Sequence, residues 1–276
     1  MQRSRVDLHI HSTASDGVLT PEEVVSLALE QDLAAIALTD HDTLSGIAAA
    51  QAAAAGSEME VIPGVEVNSE GAWGDLHFLG FYIDPNTPLL QQQLGAMRLA
   101  RVERARRMVQ ELAKLDMPLD WEDVQRLAAG QSIGRPHIAR ALLERGYVSS
   151  TDEAFIRYIG RNGPAYAPRL RLTPPEVIEA IHAAGGAAVL AHPFHSGIQI
   201  EDIVRFISYG LQGLEVYYPN HSPEDVQILL DLCGRYDLIA TGGSDFHAPW
   251  GKEGAPLGSV YVPAECVEQL RQAAGQ

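Results

Sequence analysis

Histidines and carboxylates recur at the ends of apolar runs in this 276-residue chain. His9-Ile10-His11 closes the run 5–11. In an extended strand alternate side chains share a face, so both imidazoles point the same way and can grip one metal ion. Asp16-Gly17 follows in the polar stretch 12–17, where an Asp-Gly pair also serves as a turn former. Thr39-Asp40-His41-Asp42 comes directly after the apolar run 34–38. Helix capping by Asp42 or Thr43 accounts for one of these polar groups, not for all. Glu66 closes the run 61–65, and a carboxylate there can bridge two cations, one per oxygen. His192-Pro193-Phe194-His195 closes 187–191, and Gly243-Ser244-Asp245-Phe246-His247 closes 238–241. His77 lies inside 76–80, a setting in which a single histidine is commonly a hydrogen-bonded core residue. Six histidines and three carboxylates gathered unpaired at one barrel mouth would be electrostatically poor, and divalent cations resolve the conflict. His137, His182 and His221 sit in helix or turn contexts and are not assigned as ligands.

The elements that would gather them follow from the hydrophobic pattern. Runs at 5–11, 34–38, 60–67, 76–82, 187–191, 213–217, 238–241 and 259–262 predict strands. Thr20-Pro21-Glu22-Glu23 is a capping box with Pro at the first helical position, opening a helix to about residue 31; Thr173-Pro174-Pro175-Glu176 opens another to about 184. An alanine-rich helix is expected over 43–55. Strands alternating with helices imply parallel βαβ units, and seven or eight of them imply a closed or nearly closed barrel. In such a barrel, active sites form where the strands end. Residues 89–165 show only helical patterns, over 89–115, 121–129, 136–145 and 151–159. The expected division is therefore a barrel formed by 1–88 and 166–276, with a helical insertion or cap over 89–165.

Charge supports the division. The formal net charge is −16, yet residues 89–165 hold 12 of the 20 Lys+Arg and 9 of the 36 Asp+Glu. An acidic barrel suits bound cations, and a basic insertion suits an anionic substrate. The overall acidity argues against long duplex nucleic acid as a partner. Neither a signal-peptide pattern nor a membrane-length apolar run is present, and there are two cysteines, Cys233 and Cys266, so a cytoplasmic location without membrane association is expected.

The ordered motifs resemble those of the polymerase-and-histidinol-phosphatase (PHP) metal-dependent phosphoesterases. The match rests on Asp7-Leu8-His9-Ile10-His11-Ser12, Ser15-Asp16-Gly17, Thr39-Asp40-His41-Asp42, Gly64-Val65-Glu66, His77, Ala191-His192-Pro193 and Gly243-Ser244-Asp245-Phe246-His247, and spans essentially the whole chain. The resemblance implies an α/β fold, a distorted (β/α)7 barrel with a helical insertion domain, and three divalent ions. It would place His9, His11, Glu66 and Asp245 on the first ion. Glu66, His77 and His192 would hold the second, and Asp16, His41 and His247 the third. It also assigns Arg135 and His195 to the substrate phosphate; the planar fork of Arg135 suits that role. Mixed His and carboxylate ligation fits Mn, Fe or Zn.

Within the family the chain looks most like bacterial enzymes that remove the 3′-phosphate of 3′,5′-nucleoside bisphosphates, some of which trim RNA from the 5′ end. The expected chemistry is in-line attack on phosphorus by a hydroxide shared between two ions about 3.5–4 Å apart, with His195 or a metal-bound water as the source of the leaving-group proton. The substrate would be a small phosphorylated molecule, a nucleotide or short RNA. A histidinol-phosphate phosphatase is the nearest alternative, a processive nuclease the next. A non-catalytic scaffold fits less well, because no ligand position is replaced.

Overall fold

The computed structural model describes residues 5–71, 74–128, 133–168, 172–249 and 254–275, without the side chains of 70, 71, 74, 75, 195 and 196. The chain divides into two compact units, Met1–Leu94 with Arg171–Gln276, and Gly95–Leu170.

The first unit is built on a seven-stranded sheet: β1 (Val6–Ile10), β2 (Ala35–Leu38), β3 (Glu60–Gly71), β4 (Gly74–Phe81), β5 (Ala187–Leu190), β6 (Gly213–Tyr217) and β7 (Ile239–Gly242), hydrogen-bonded in that order. Closure comes after β7. His11 N–H donates to Phe246 O at 2.9 Å, and Phe246 N–H donates to His9 O at 3.2 Å. β1, β2 and β5 are buried at every residue, as expected for strands with helices packed over them. Ile10, Ile36 and Leu38 pack with Val24, Val25 and Ala28 of the first helix, Pro21–Glu30. Val6, Leu8, Ala37, Ile62 and Val189 pack with Val267 and Leu270 of the last, Glu265–Ala273. The first helix starts where its capping box places it: Thr20 Oγ1 accepts from Glu23 N–H, and Glu23 Oε2 accepts from Thr20 N–H.

Three expectations need correction. The barrel is not parallel throughout, because β4 runs antiparallel to both β3 and β5. The short loop between β3 and β4 leaves no room for a crossover helix, so the chain makes a hairpin instead. Residues 259–262 form no strand; they are irregular chain, with a bend at residue 260, that precedes the terminal helix. The alanine-rich helix spans only Ile47–Ala53, since 43–44 are irregular and 45–46 form a turn.

The second unit is helical, with its own core of Met108, Leu112, Val124, Leu127, Ile138, Leu142 and Ile159. A long helix, Pro88–Ala113, enters it, and Trp121–Ala128, Arg135–Glu144 and Thr151–Ala154 follow, the last continuing into a π-helical turn, Phe155–Ile159. No helix among the described residues is long and apolar enough to cross a membrane.

Candidate metal centre

β1 delivers His9 and His11, both fully buried. They reach the barrel mouth because Gly243, just past β7, lies against β1: a Cβ there would sit 2.4 Å from His9 N and 2.5 Å from His9 Cβ, so only glycine allows the approach. Across this seam Asp245 Oδ1 lies 3.3 Å from His9 Nε2 and 3.2 Å from His11 Nε2.

The turn after β1 presents Asp16. Asp40, at the end of β2, orders that turn by accepting Ser12 N–H at 2.8 Å, Ser12 Oγ–H at 2.7 Å and Ser15 Oγ–H at 2.6 Å. Asp16 then stands 3.6 Å from His11 Nδ1, 3.6 Å from His41 Nε2 and 3.5 Å from His247 Nε2.

Glu66 is the hub. Its Oε2 lies 3.4 Å from His9 Nε2, 3.3 Å from His11 Nε2 and 2.9 Å from His41 Nδ1; its Oε1 lies 2.7 Å from His77 Nδ1 and 3.2 Å from His192 Nε2. His77 takes part because β4 is antiparallel. A residue early in that strand stands at the level where the parallel strands finish, directly opposite Asn68 of β3. Asp42, His192 and Asp245 all carry positive φ (53°, 28° and 52°), strained for non-glycine residues and typical of sites that the surrounding structure holds in place. Asp42 is held by Asn68, whose N–H and Nδ2 donate to its two oxygens, and Asp245 by the Tyr218 hydroxyl at 3.0 Å.

All nine side chains expected from sequence therefore converge. Their ligand atoms fall into close groups: His11, Asp16, His41 and His247; His9, Glu66 and His192; His9, His11 and Asp245; His41, Glu66 and His77. His41 stands between the group around Asp16 and the hub at Glu66. The donor set fits divalent cations on a direct observation. His9 Nε2, His11 Nε2 and Glu66 Oε2 are buried with no hydrogen-bond partner among the described residues, and such atoms are costly unless something satisfies them.

Electrostatics agree. Burial alone would lower the His11 imidazole, but Asp245 and Glu66 outweigh it and push it up to about 10. His9 is driven well up in the same way, by Glu215, Asp245 and Glu66 against burial. Burial would raise Glu66, yet His41, His77 and His9 hold it well below the usual carboxylate range. Asp245 and Asp16 are lowered by their own histidine neighbours. Without ions, the raised imidazoles of His9 and His11 would hold protons that balance the carboxylates; cations would displace those protons.

A PHP domain family model matches residues 7–145. The chain is 36% identical over 266 residues to the 5′-3′ exoribonuclease Rnm of Escherichia coli (strain K12), covering 94% of this chain and 90% of that protein. The chain belongs to the PHP domain family. A 3′,5′-nucleoside bisphosphate phosphatase of Chromobacterium violaceum is 36% identical over 269 residues, 95% of this chain and 94% of its own length. A crystal structure from Bifidobacterium adolescentis described as a metal-dependent phosphoesterase superposes with a TM-score of 0.86 at 32% identity, over 97% of this chain and 96% of that one. This PHP protein is accordingly a metal-dependent phosphoesterase, a hydrolase of phosphoric esters.

Of the two residues expected on the substrate phosphate, Arg135 opens the helix Arg135–Glu144, its guanidinium 5.5 Å from the centre of the Phe155 ring. The His195 side chain lies outside the described residues. Sequence reasoning missed Glu215, a fully buried carboxylate on β6 that touches His9 and His192. The signal was present: Leu214-Glu215-Val216 repeats the pattern of Val65-Glu66-Val67, a lone carboxylate in an apolar strand. The supporting roles of Asp40 and Tyr218 were also missed.

Proposed function

We propose that this chain hydrolyses the 3′-phosphate of 3′,5′-nucleoside bisphosphates, for example adenosine 3′,5′-bisphosphate to AMP, and that it also shortens RNA from its 5′ end. The observation that carries this reading is the convergence of nine intact ligand positions, Glu66 among them, on a chain matched nearly end to end by relatives bearing those two activities. We place three divalent ions, Mn, Fe or Zn, on His9, His11, Glu66 and Asp245; on Glu66, His77 and His192; and on Asp16, His41 and His247. Bound ions would supply a strong nucleophile at neutral pH and neutralise charge on the phosphoryl oxygens.

The protein's own groups do the rest. Glu66, with one oxygen toward His9, His11 and His41 and the other toward His77 and His192, sets the spacing of the centre. Arg135 would clamp the phosphate through two parallel N–H donors, and His195 would return a proton to the leaving alcohol. The helical unit would act as the substrate cap, its excess of Lys+Arg over Asp+Glu favouring an anion. Two free, buried thiols, Cys233 and Cys266, suit a reducing compartment, the cytoplasm.

The test is inorganic phosphate release from adenosine 3′,5′-bisphosphate, histidinol phosphate and simple phosphomonoesters, beside shortening of a labelled single-stranded RNA, all with added Mn(II). The bisphosphate should give the highest kcat/KM. Preference for histidinol phosphate would replace this reading with the nearest alternative, and no release from any substrate would overturn it. Arg135→Ala should lower kcat/KM for phosphomonoesters roughly 10- to 100-fold, mostly through KM, as loss of a charge-assisted pair would, with metal content unchanged. Unaltered kinetics would refute the capping role.

A further inference from the structure

Glu215 is 0% exposed, in the middle of β6, and belongs to none of the close ligand groups. Both of its oxygens are engaged. Oε1 lies 2.9 Å from His9 Nδ1, and Oε2 accepts the backbone N–H of His192 at 2.8 Å. A carboxylate only accepts, so the proton of that bond sits on His9 Nδ1. That fixes the ring with Nε2 facing Glu66 and Asp245, where it is buried without a hydrogen-bond partner among the described residues. The second contact holds the peptide of a residue whose φ is +28°, a conformation a histidine does not keep unaided.

We propose that Glu215 is the positioning residue that locks His9 in its Nε2-ligating form and His192 in its strained backbone, so that one buried carboxylate sets two ligands that face different oxygens of Glu66. This rests on the cluster being a metal centre and adds a residue to it that binds no ion. One glutamate joins a ligand from β1 to a ligand following β5, so its loss should loosen both positions together.

Glu215→Gln tests this with almost no change in volume. Glutamine keeps one acceptor and gains a donor, so it cannot accept from both His9 Nδ1 and His192 N–H. If the amide nitrogen faces His9, the ring must carry its proton on Nε2 and can no longer ligate there. If it faces His192, two donors oppose each other. The expected result is a folded protein whose affinity for Mn(II) or Zn(II), measured by competition with a chelator, falls roughly 10- to 100-fold, the usual effect of removing a carboxylate partner of a ligating histidine, with kcat partly restored by excess Mn(II). A purely structural Glu215 would lower thermal stability and leave metal affinity of the folded fraction unchanged, which would overturn the proposal. Wild-type protein that binds no divalent ion would overturn the metal centre as well, so the two failures are distinct. Should Glu215→Gln fail to fold, nitrogen-resolved NMR of the Zn(II)-loaded wild type decides: His9 should carry its proton on Nδ1, and a proton on Nε2 would refute the assignment.

Discussion

Glu66→Gln is expected to lower kcat/KM by roughly 10³-fold or more, about 4 kcal/mol of transition-state stabilisation, and to leave the purified protein depleted of divalent metal. The reason is geometric. Glu66 lies within 3.4 Å of five imidazoles, those of His9, His11, His41, His77 and His192. Glutamine keeps the shape but withdraws the negative charge and half the acceptor capacity from every group that shares it. Asp245→Ala should act in the same direction, since Asp245 reaches His9 and His11. Metal analysis and phosphate-release kinetics on the same preparation measure both effects. A Glu66→Gln protein with wild-type metal content and wild-type kcat/KM would show that the cluster is not the catalytic centre.

Much of this centre was legible in the residues, because strands that end in titratable groups announce themselves against an apolar background. His9 and His11, Asp40 to Asp42, Glu66 and Asp245 all follow or close an apolar run, and the capping boxes at Thr20 and Thr173 marked helix starts to within a residue. What stayed hidden depended on pairing partners far away in the chain. The pattern of residues 76–82 is the same whether that strand runs parallel or antiparallel, so His77 taken alone looked like a core histidine. Only the hairpin with β3 places it opposite Asn68 and beside Glu66. Glu215 was hidden for a similar reason: Leu214-Glu215-Val216 marks a lone carboxylate in an apolar strand, but its partners are 206 and 23 residues away, and the local pattern does not say which histidines it serves. The stretch 259–262 has β-like composition but pairs with no strand among the described residues.

Removing the ions should give the protein an unusual pH profile of stability. In the metal-free centre His9, His11, His192 and His247 are all raised; in each, burial acts downward and neighbouring carboxylates more than compensate. A histidine raised on folding contributes stability that is fully present below its unfolded value, about 6.5, and is lost as pH climbs through its folded value, about 10 for His11. His77, lowered chiefly by burial, works the other way, one group against four. Asp16, Glu66 and Asp245, lowered by their histidines against burial, contribute stability above about pH 4 that is lost as pH falls through their depressed values. The stripped protein should therefore be most stable between roughly pH 4.5 and 6.5, and its Tm should fall steadily from pH 6.5 to 9. The metal-loaded protein should do the opposite over the same interval, because cations bind the deprotonated imidazoles and their hold strengthens as protons leave. The gap in Tm between loaded and stripped protein should widen with pH, read by calorimetry at four or five pH values with and without a chelator. The same series on Glu66→Gln separates the centre from the general repulsion of a chain with net charge −16, which also grows with pH. If the stripped wild type and the stripped variant lose Tm equally from pH 6.5 to 9, the imidazole–carboxylate cluster is not what sets the alkaline limit.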